Sequence, residues 1–185
     1  MSRKGRLPIE LPKGVEVLVA NGEITVKGPK GSVRHALLPC IELKIEKNET
    51  QGQSLSVGLT DKCAEMNNFQ GLFRALIQNM VLGTTQGFVK ELEMIGVGYR
   101  CAVQGNLLDI QIGLSHPTKI EIPEGITVKV EKGTAIMITG VNNQVVGQFA
   151  ANVRSVRPPE PYQGKGIRYK GEFVRKKAGK SAAKK

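Results

Sequence analysis

The chain carries a second copy of part of itself. Ile9-Glu-Leu-Pro-Lys-Gly-Val-Glu-Val-Leu-Val19 aligns with Ile120-Glu-Ile-Pro-Glu-Gly-Ile-Thr-Val-Lys-Val130 at an offset of 111 residues. Each stretch opens with I-E-[LI]-P, turns at a glycine (Gly14, Gly125), and then alternates branched apolar residues with polar ones. A period of two is what a half-buried strand requires, because successive side chains point to opposite faces. A turn comes next at Asn21-Gly22, matched by Lys132-Gly133, and then a second alternating run in each copy, Glu23–Lys27 and Ala135–Thr139. Asn-Gly between alternating runs is a strong hairpin signal. The match resumes further on, where Gly71-Leu-Phe-Arg-Ala-Leu-Ile77 and Gly147-Gln-Phe-Ala-Ala-Asn-Val153 share G-x-F-x-A-x-[IV].

That second match reads as a helix in both copies. In the first, Leu72, Ala75, Leu76, Asn79 and Met80 follow helical spacing and are expected to face a sheet; in the second, Phe149, Val153 and Val156 do so. Pro158-Pro159 ends the second helix, since proline lacks the donor and clashes with the preceding turn. The copies differ in order. Strand-like runs at 41–45 and 55–59 stand between hairpin and helix in the first, whereas the second places its extra strands earlier, at 98–103 and 107–112. The expected fold class is α+β: two tandem duplicated units, each a small antiparallel or mixed sheet packed against one helix, followed by a basic C-terminal tail. The expected boundaries are 1–83, 84–157 and 158–185, with the units parting near Gly83–Gly87. A repeat of two with so long a period indicates domain duplication rather than a solenoid.

A chain of 185 residues can bury one sizeable core or two small ones. Its 22 glycines and nine prolines fit many turns and short strands. No run approaches the roughly 20 apolar residues that a membrane span needs. Met1-Ser-Arg-Lys-Gly-Arg-Leu-Pro8 has charge but no apolar stretch behind it, so a secretory signal is not expected. Three cysteines, Cys40, Cys63 and Cys101, with no C-x-x-C pair, argue against a disulfide framework or a structural zinc site and point to a reducing cytosol. Asn48-Glu-Thr50 is then a chance glycosylation match.

Catalytic patterns are weak. His35 and His116 have no motif around them, and Glu91 and Glu93 read as a strand's solvated face or a local ion-pair partner for Lys90. Ala178-Gly-Lys-Ser181 resembles the end of a phosphate loop, but Val174 stands where the first glycine is required, and no helix can follow. Gly96-Val-Gly98 resembles the opening of a dinucleotide fingerprint, yet Cys101 occupies the third glycine position, and a bulge is the better reading. Neither a cofactor nor a metal nor a small-molecule substrate is expected.

Charge is where the pattern is specific. Residues 154–185 hold 11 Lys/Arg against Glu160 and Glu172, a net of +9 out of +11 for the whole chain. The stretch 7–153 is close to neutral, with 13 basic and 14 acidic residues. A neutral body with a cationic end is built to meet a polyanion. Within that end, Tyr162-Gln-Gly-Lys-Gly-Ile-Arg-Tyr169 sets Lys165 between two glycines, with a tyrosine on each side. Glycine lets backbone approach a phosphate, lysine supplies charge, and tyrosine stacks on exposed bases, which RNA offers more often than duplex DNA. The candidate RNA-binding set is Arg154, Arg157, Tyr162, Gln163, Gly164, Lys165, Gly166, Arg168, Tyr169, Lys170, Arg175, Lys176 and Lys177. Lys180, Lys184 and Lys185 trail after it. Gly28-Pro-Lys-Gly31 is a second basic turn, read as an ordinary turn.

These residues carry a resemblance. Met1-Ser-Arg-Lys4, Val26-Lys-Gly-Pro-Lys-Gly31, Leu92-Glu-Met-Ile-Gly-Val-Gly-Tyr-Arg100, Gly113-Leu-Ser-His-Pro117 and, most specifically, Arg157-Pro-Pro-Glu-Pro-Tyr-Gln-Gly-Lys-Gly-Ile-Arg-Tyr169 are similar, in order and spacing, to the bacterial-type L6 family of the large ribosomal subunit. The resemblance implies a structural rRNA-binding protein with a duplicated fold, partnered by 23S rRNA and by neighbouring proteins near the stalk base and the sarcin–ricin loop, where translation factors dock. It implies the ribosome of a bacterial cytoplasm, with a plastid as the alternative, and no membrane. The loop it marks is Tyr162, Gly164, Lys165, Gly166, Ile167 and Arg168. Gln163 departs from the family's usual lysine and releases no counterion there. With about five phosphates neutralised, log affinity should fall against log salt with a slope of roughly −3.5 to −4.5. The competing readings are a free-standing single-strand or duplex binder, a phosphotransferase, and a sheet-edge interaction module. The first would bind unrelated RNA equally, the second lacks a phosphate loop and metal carboxylates, and the third leaves the tail unexplained.

Overall fold

The computed structural model describes residues 5–48, 52–60 and 67–179. Met1-Ser-Arg-Lys4, Cys63, Glu49 and Thr50 of the glycosylation match, and Lys180, Lys184 and Lys185 lie outside these residues. Among those described there are two compact units, which part between Gly87 and Phe88; the short stretch Val141–Asn143 groups with the first.

In the first unit the elements run β1 (Ile9–Leu11), β2 (Glu16–Ala20), β3 (Glu23–Gly28), β4 (Gly31–Ala36), β5 (Ile41–Asn48), β6 (Gly52–Leu59) and α1 (Asn67–Thr85). They form two antiparallel sheets, ordered β2-β3-β4 and β1-β6-β5. The second unit runs β7 (Phe88–Ile95), β8 (Arg100–Gln104), β9 (Leu107–Gln111), β10 (Thr118–Glu121), β11 (Ile126–Glu131), β12 (Ala135–Gly140), α2 (Asn143–Val156) and β13 (Gly166–Tyr169). Its sheets are β10-β9-β8 and β11-β12-β7-β13, again antiparallel. The α+β duplication therefore holds, with each unit distributing its strands over two small sheets.

The duplication survives the difference in chain order. β1 and β10, the two I-E-x-P strands, both lie at a sheet edge beside the inserted hairpin, as β1-β6-β5 and β10-β9-β8. Past each proline the chain makes the same turn, Val15 N–H donating to Pro12 O at 3.2 Å and Ile126 N–H to Pro123 O at 3.4 Å. The hairpin turns also correspond. Asn21 and Gly22 have φ of 53° and 75°, Lys132 and Gly133 of 53° and 69°, the left-handed pair that a tight hairpin with right-handed strand twist needs. The second loop holds one residue more. Ala20 pairs with Glu23, whereas Glu131 pairs with Ala135, so Thr134 is the insertion that moves the repeat's offset from 111 to 112. β13 has no counterpart among the described residues of the first unit.

Each unit has its own core. In the first, Ile24 and Val26 of β3 and Leu55 of β6 are fully buried against Phe73, Ile77, Met80 and Val81 of α1. In the second, Ile136 and Ile138 of β12 occupy the equivalent places, packed with Leu92, Leu108, Ile167, Val146, Phe149, Ala150 and Val153. Fully burying one such aliphatic side chain contributes about 1.5–3 kcal/mol. The face assigned to α2 is correct. For α1 it is rotated by roughly one residue: Leu72 is 50% exposed, and the buried stripe is Phe73, Ile77, Met80, Val81 and Thr84. Aligning Phe73 with Phe149 and Ile77 with Val153 gives the observed stripe. Leu72 is the misleading residue, an exposed leucine in a helix whose core side is set by phenylalanine.

Candidate nucleic-acid interface

The cationic end is folded into the second unit. α2 ends at Val156, and Arg157 anchors the chain just beyond it. Its guanidinium donates to Ile112 O at 2.7 Å and lies 5.6 Å from the centre of the Tyr99 ring, and its carbonyl accepts from Ile167 N–H at 2.8 Å. Pro158-Pro159 then turns the chain, and Glu160 N–H closes a loop onto Lys165 O at 2.9 Å. Tyr162, Gln163 and Lys165 face solvent on that loop.

Gly166 explains the loop's return. A Cβ there would lie 2.6 Å from Pro158 O and 2.8 Å from both Pro158 C and Pro159 Cα, at a φ of +140°. So this glycine's missing side chain serves a backbone-to-backbone approach inside the fold. Gly164, at φ +74°, has nothing within 4 Å of an added Cβ and serves the turn alone.

β13 comes next, where the sequence pattern predicts a tail. Ile167 is fully buried, and the strand lies antiparallel to β7 with Ile167 opposite Met94 and Arg168 opposite Glu93. That register decides the fate of two expected RNA-binding cations. Arg168 Nη2 bonds Glu93 at 3.3 Å, and Lys170 Nζ bonds Glu91 at 2.5 Å while its N–H extends the ladder to Glu91 O at 3.0 Å. The carboxylates expected to pair with Lys90 are thus engaged from the neighbouring strand. The hydrogen bond to Glu91, more than that residue's charge, holds the Lys170 ammonium above the usual lysine range.

The outer edge of β13 is capped. Arg157 O takes Ile167 N–H, and a carboxylate oxygen of Glu172 takes Tyr169 N–H at 3.0 Å. An edge strand closed in this way is withdrawn from pairing with another chain, which removes the basis of a sheet-edge interaction module at this strand. Glu172 also receives Arg154 in a two-pronged bond, at 3.0 and 2.5 Å. Arg154 and then the Tyr169 amide hold the Glu172 carboxyl below its ordinary range, and the same bond raises Arg154. The Arg154 guanidinium lies 5.8 Å from the Tyr169 ring centre, so this half-buried tyrosine is covered by a cation of its own chain.

The expected RNA-binding set therefore divides. Arg154, Arg157, Arg168 and Lys170 brace the second unit. Lys165, Arg175, Lys176 and Lys177 are exposed, with no ion-pair partner among the described residues. The last three are brought back to the loop, because Lys177 N–H donates to Pro161 O at 2.8 Å. Tyr162, 57% exposed, and Gln163 lie within the same surface. One residue there is absent from the sequence-based set: Phe173 is 91% exposed. A signal for it exists, since it is the only aromatic residue in 170–179 and is followed directly by Val174-Arg-Lys-Lys177.

Other candidates resolve locally. Lys30 N–H donates to Thr84 O at 3.0 Å, and its ammonium bonds Gln86 O, so the Gly28–Gly31 turn caps the end of α1. His35 contacts the Phe73 ring edge-on at 5.9 Å and its own neighbour's carbonyl. Burial pushes the Cys101 thiol up to about 11. No group of three or more potential metal ligands exists among the described residues.

The profile of the family described as Ribosomal protein L6 matches residues 11–87 and 95–170, one stretch in each unit, and the chain belongs to that family. It is a family of structural ribosomal proteins, and the chain is not an enzyme. Among its relatives, the large ribosomal subunit protein uL6 of Protochlamydia amoebophila is 63% identical over 185 residues, covering both chains in full. The proteins of the same name from Chlamydia trachomatis serovar L2 and Chlamydia felis are each 57% identical over 182 residues, covering 98% of this chain and 97% of theirs.

Proposed function

We propose that this structural protein of the large ribosomal subunit works in a bacterial cytoplasmic ribosome and binds 23S rRNA through the surface formed by the 160–165 loop and the 173–177 segment. The observation that carries the proposal is the division of the cations. Four are engaged in bracing the fold, and four are exposed on the 160–165 loop and the 173–177 segment, which Lys177 N–H ties to Pro161 O beside Tyr162 and Gln163, with no acidic residue between Phe173 and Gly179. Phosphate contacts from that surface supply affinity and orientation, while the shape and the single-stranded features of the folded RNA supply specificity. On the family resemblance, the position on the subunit is near the stalk base and the sarcin–ricin region, where neighbouring ribosomal proteins and translation factors meet. Filter binding of the full chain to 23S rRNA and to an unrelated RNA of similar length tests the proposal. Preference for 23S rRNA, lost with Lys165→Glu, Arg175→Glu and Lys176→Glu together, supports it. Equal binding to both RNAs, or no effect of the triple substitution, overturns it.

A further inference from the structure

Phe173 is a phenylalanine left almost wholly in water by a chain that is pinned around it. On one side Glu172 is fixed three times, by Arg154, by Tyr169 N–H, and by its own N–H donating to Tyr169 O at 3.0 Å. On the other side Lys177 N–H is fixed to Pro161 O. From Glu172 to Arg175 exposure alternates: Glu172 and Val174 are half-buried, while Phe173 and Arg175 face out, as on an extended chain, and Lys176 and Lys177 beyond them are both exposed. Phe173 and Arg175 thus share one side, about 7 Å apart along the strap. An apolar ring on a flexible tail would need no explanation. A ring held out in this way, next to Arg175, Lys176 and Lys177, is preset for an apolar ligand that is also an anion.

We propose that Phe173 is a base-stacking residue: it takes the face of one unstacked nucleotide of the rRNA, while Arg175 and Lys177 hold the phosphates that flank it. This rests on the rRNA-binding reading and names a contact within it. A nucleotide offers a flat apolar face and an anionic backbone within one residue's length, and an aromatic ring among cations matches both. The charge of the strap favours RNA over a protein partner, because residues 173–179 carry three cations and no carboxylate. The two tyrosines expected to stack are differently placed: Tyr169 is covered by Arg154, and Tyr162 lies at the far end of the same surface, beside the anchor of Lys177.

The test uses the full chain and 23S rRNA over a salt series. Because the ring is exposed, Phe173→Ala should leave thermal unfolding unchanged and weaken binding on the order of tenfold, without altering the salt slope. Phe173→Leu should fall with alanine, and Phe173→Tyr should bind as the natural chain does. The protein has no tryptophan, so Phe173→Trp introduces a single one, excitable apart from the three tyrosines, whose emission should be quenched on binding 23S rRNA. Natural chain that binds 23S rRNA, with Phe173→Ala binding equally well, overturns the stacking role and leaves the rRNA-binding reading standing. Natural chain that fails to bind sinks both. Phe173→Ala that binds naked 23S rRNA normally, yet fails to join subunits carrying their other proteins, would show that this ring meets protein instead and also overturns the proposal.

Discussion

Replacing Gly166 with alanine separates a glycine needed by the fold from one needed by a ligand. The added Cβ would meet Pro158 O at 2.6 Å and Pro159 Cα at 2.8 Å, both main-chain atoms of a turn that Arg157 and Ile167 hold in place. Neither neighbour can rotate away. A positive φ costs a non-glycine residue about 1–2 kcal/mol, and forcing an extra methyl into a packed site adds about 1–3 kcal/mol. Gly164→Ala is the internal control, for its φ is also positive but nothing lies within 4 Å of the new methyl. The difference between the two variants reports the clash together with the greater backbone strain of φ +140° over φ +74°. Urea unfolding followed by circular dichroism should show Gly166→Ala less stable than Gly164→Ala by about 1–3 kcal/mol. Equal stability of the two variants would refute the reasoning, and so would a Gly166→Ala chain that is as stable as the natural one yet fails to bind RNA.

Three further outcomes are expected. Glu172 has a folded-state pKa below its unfolded one, so the stability it contributes is present above the unfolded value and lost as pH falls through the folded one; a denaturation series from pH 6 to pH 2 should show the natural chain losing stability that Glu172→Gln already lacks. Ile167→Ala, at a fully buried strand position, should destabilise the second unit by about 2–5 kcal/mol in the same unfolding assay. The four exposed cations Lys165, Arg175, Lys176 and Lys177 should give a salt slope of roughly −2.8 to −3.6, and each substitution to alanine should reduce it by about 0.7–0.9; a slope unchanged after all four are removed would place the contacts elsewhere.

The repeat makes the hairpins legible because a period of two and an Asn-Gly turn are local signals. The inserted strands at 41–45, 55–59, 98–103 and 107–112 are legible for the same reason. β13 is not. Gly-Ile-Arg-Tyr has one core residue and sits among glycines, and its partner β7 lies more than 70 residues away in sequence, so nothing local marks it as a strand. Missing the strand entails missing the partners of its charges. Whether Arg168 meets a phosphate or Glu93 depends on a pairing register, and whether Arg154 is available depends on Glu172 folding back on it. Net charge singles out the cationic end of the chain but cannot say which cations the fold keeps for itself. A charge reversal at Arg168 is therefore a poor probe of RNA binding, since it sets a second carboxylate face to face with that of Glu93.

The most direct test of the central claim is sedimentation of the tagged chain through a sucrose gradient in moderate salt, beside the Lys165→Glu, Arg175→Glu and Lys176→Glu variant. The natural chain is expected to travel with the large subunit, and the variant, folded by circular dichroism, to stay at the top. A natural chain that stays at the top, or a variant that still travels with the subunit, would contradict it.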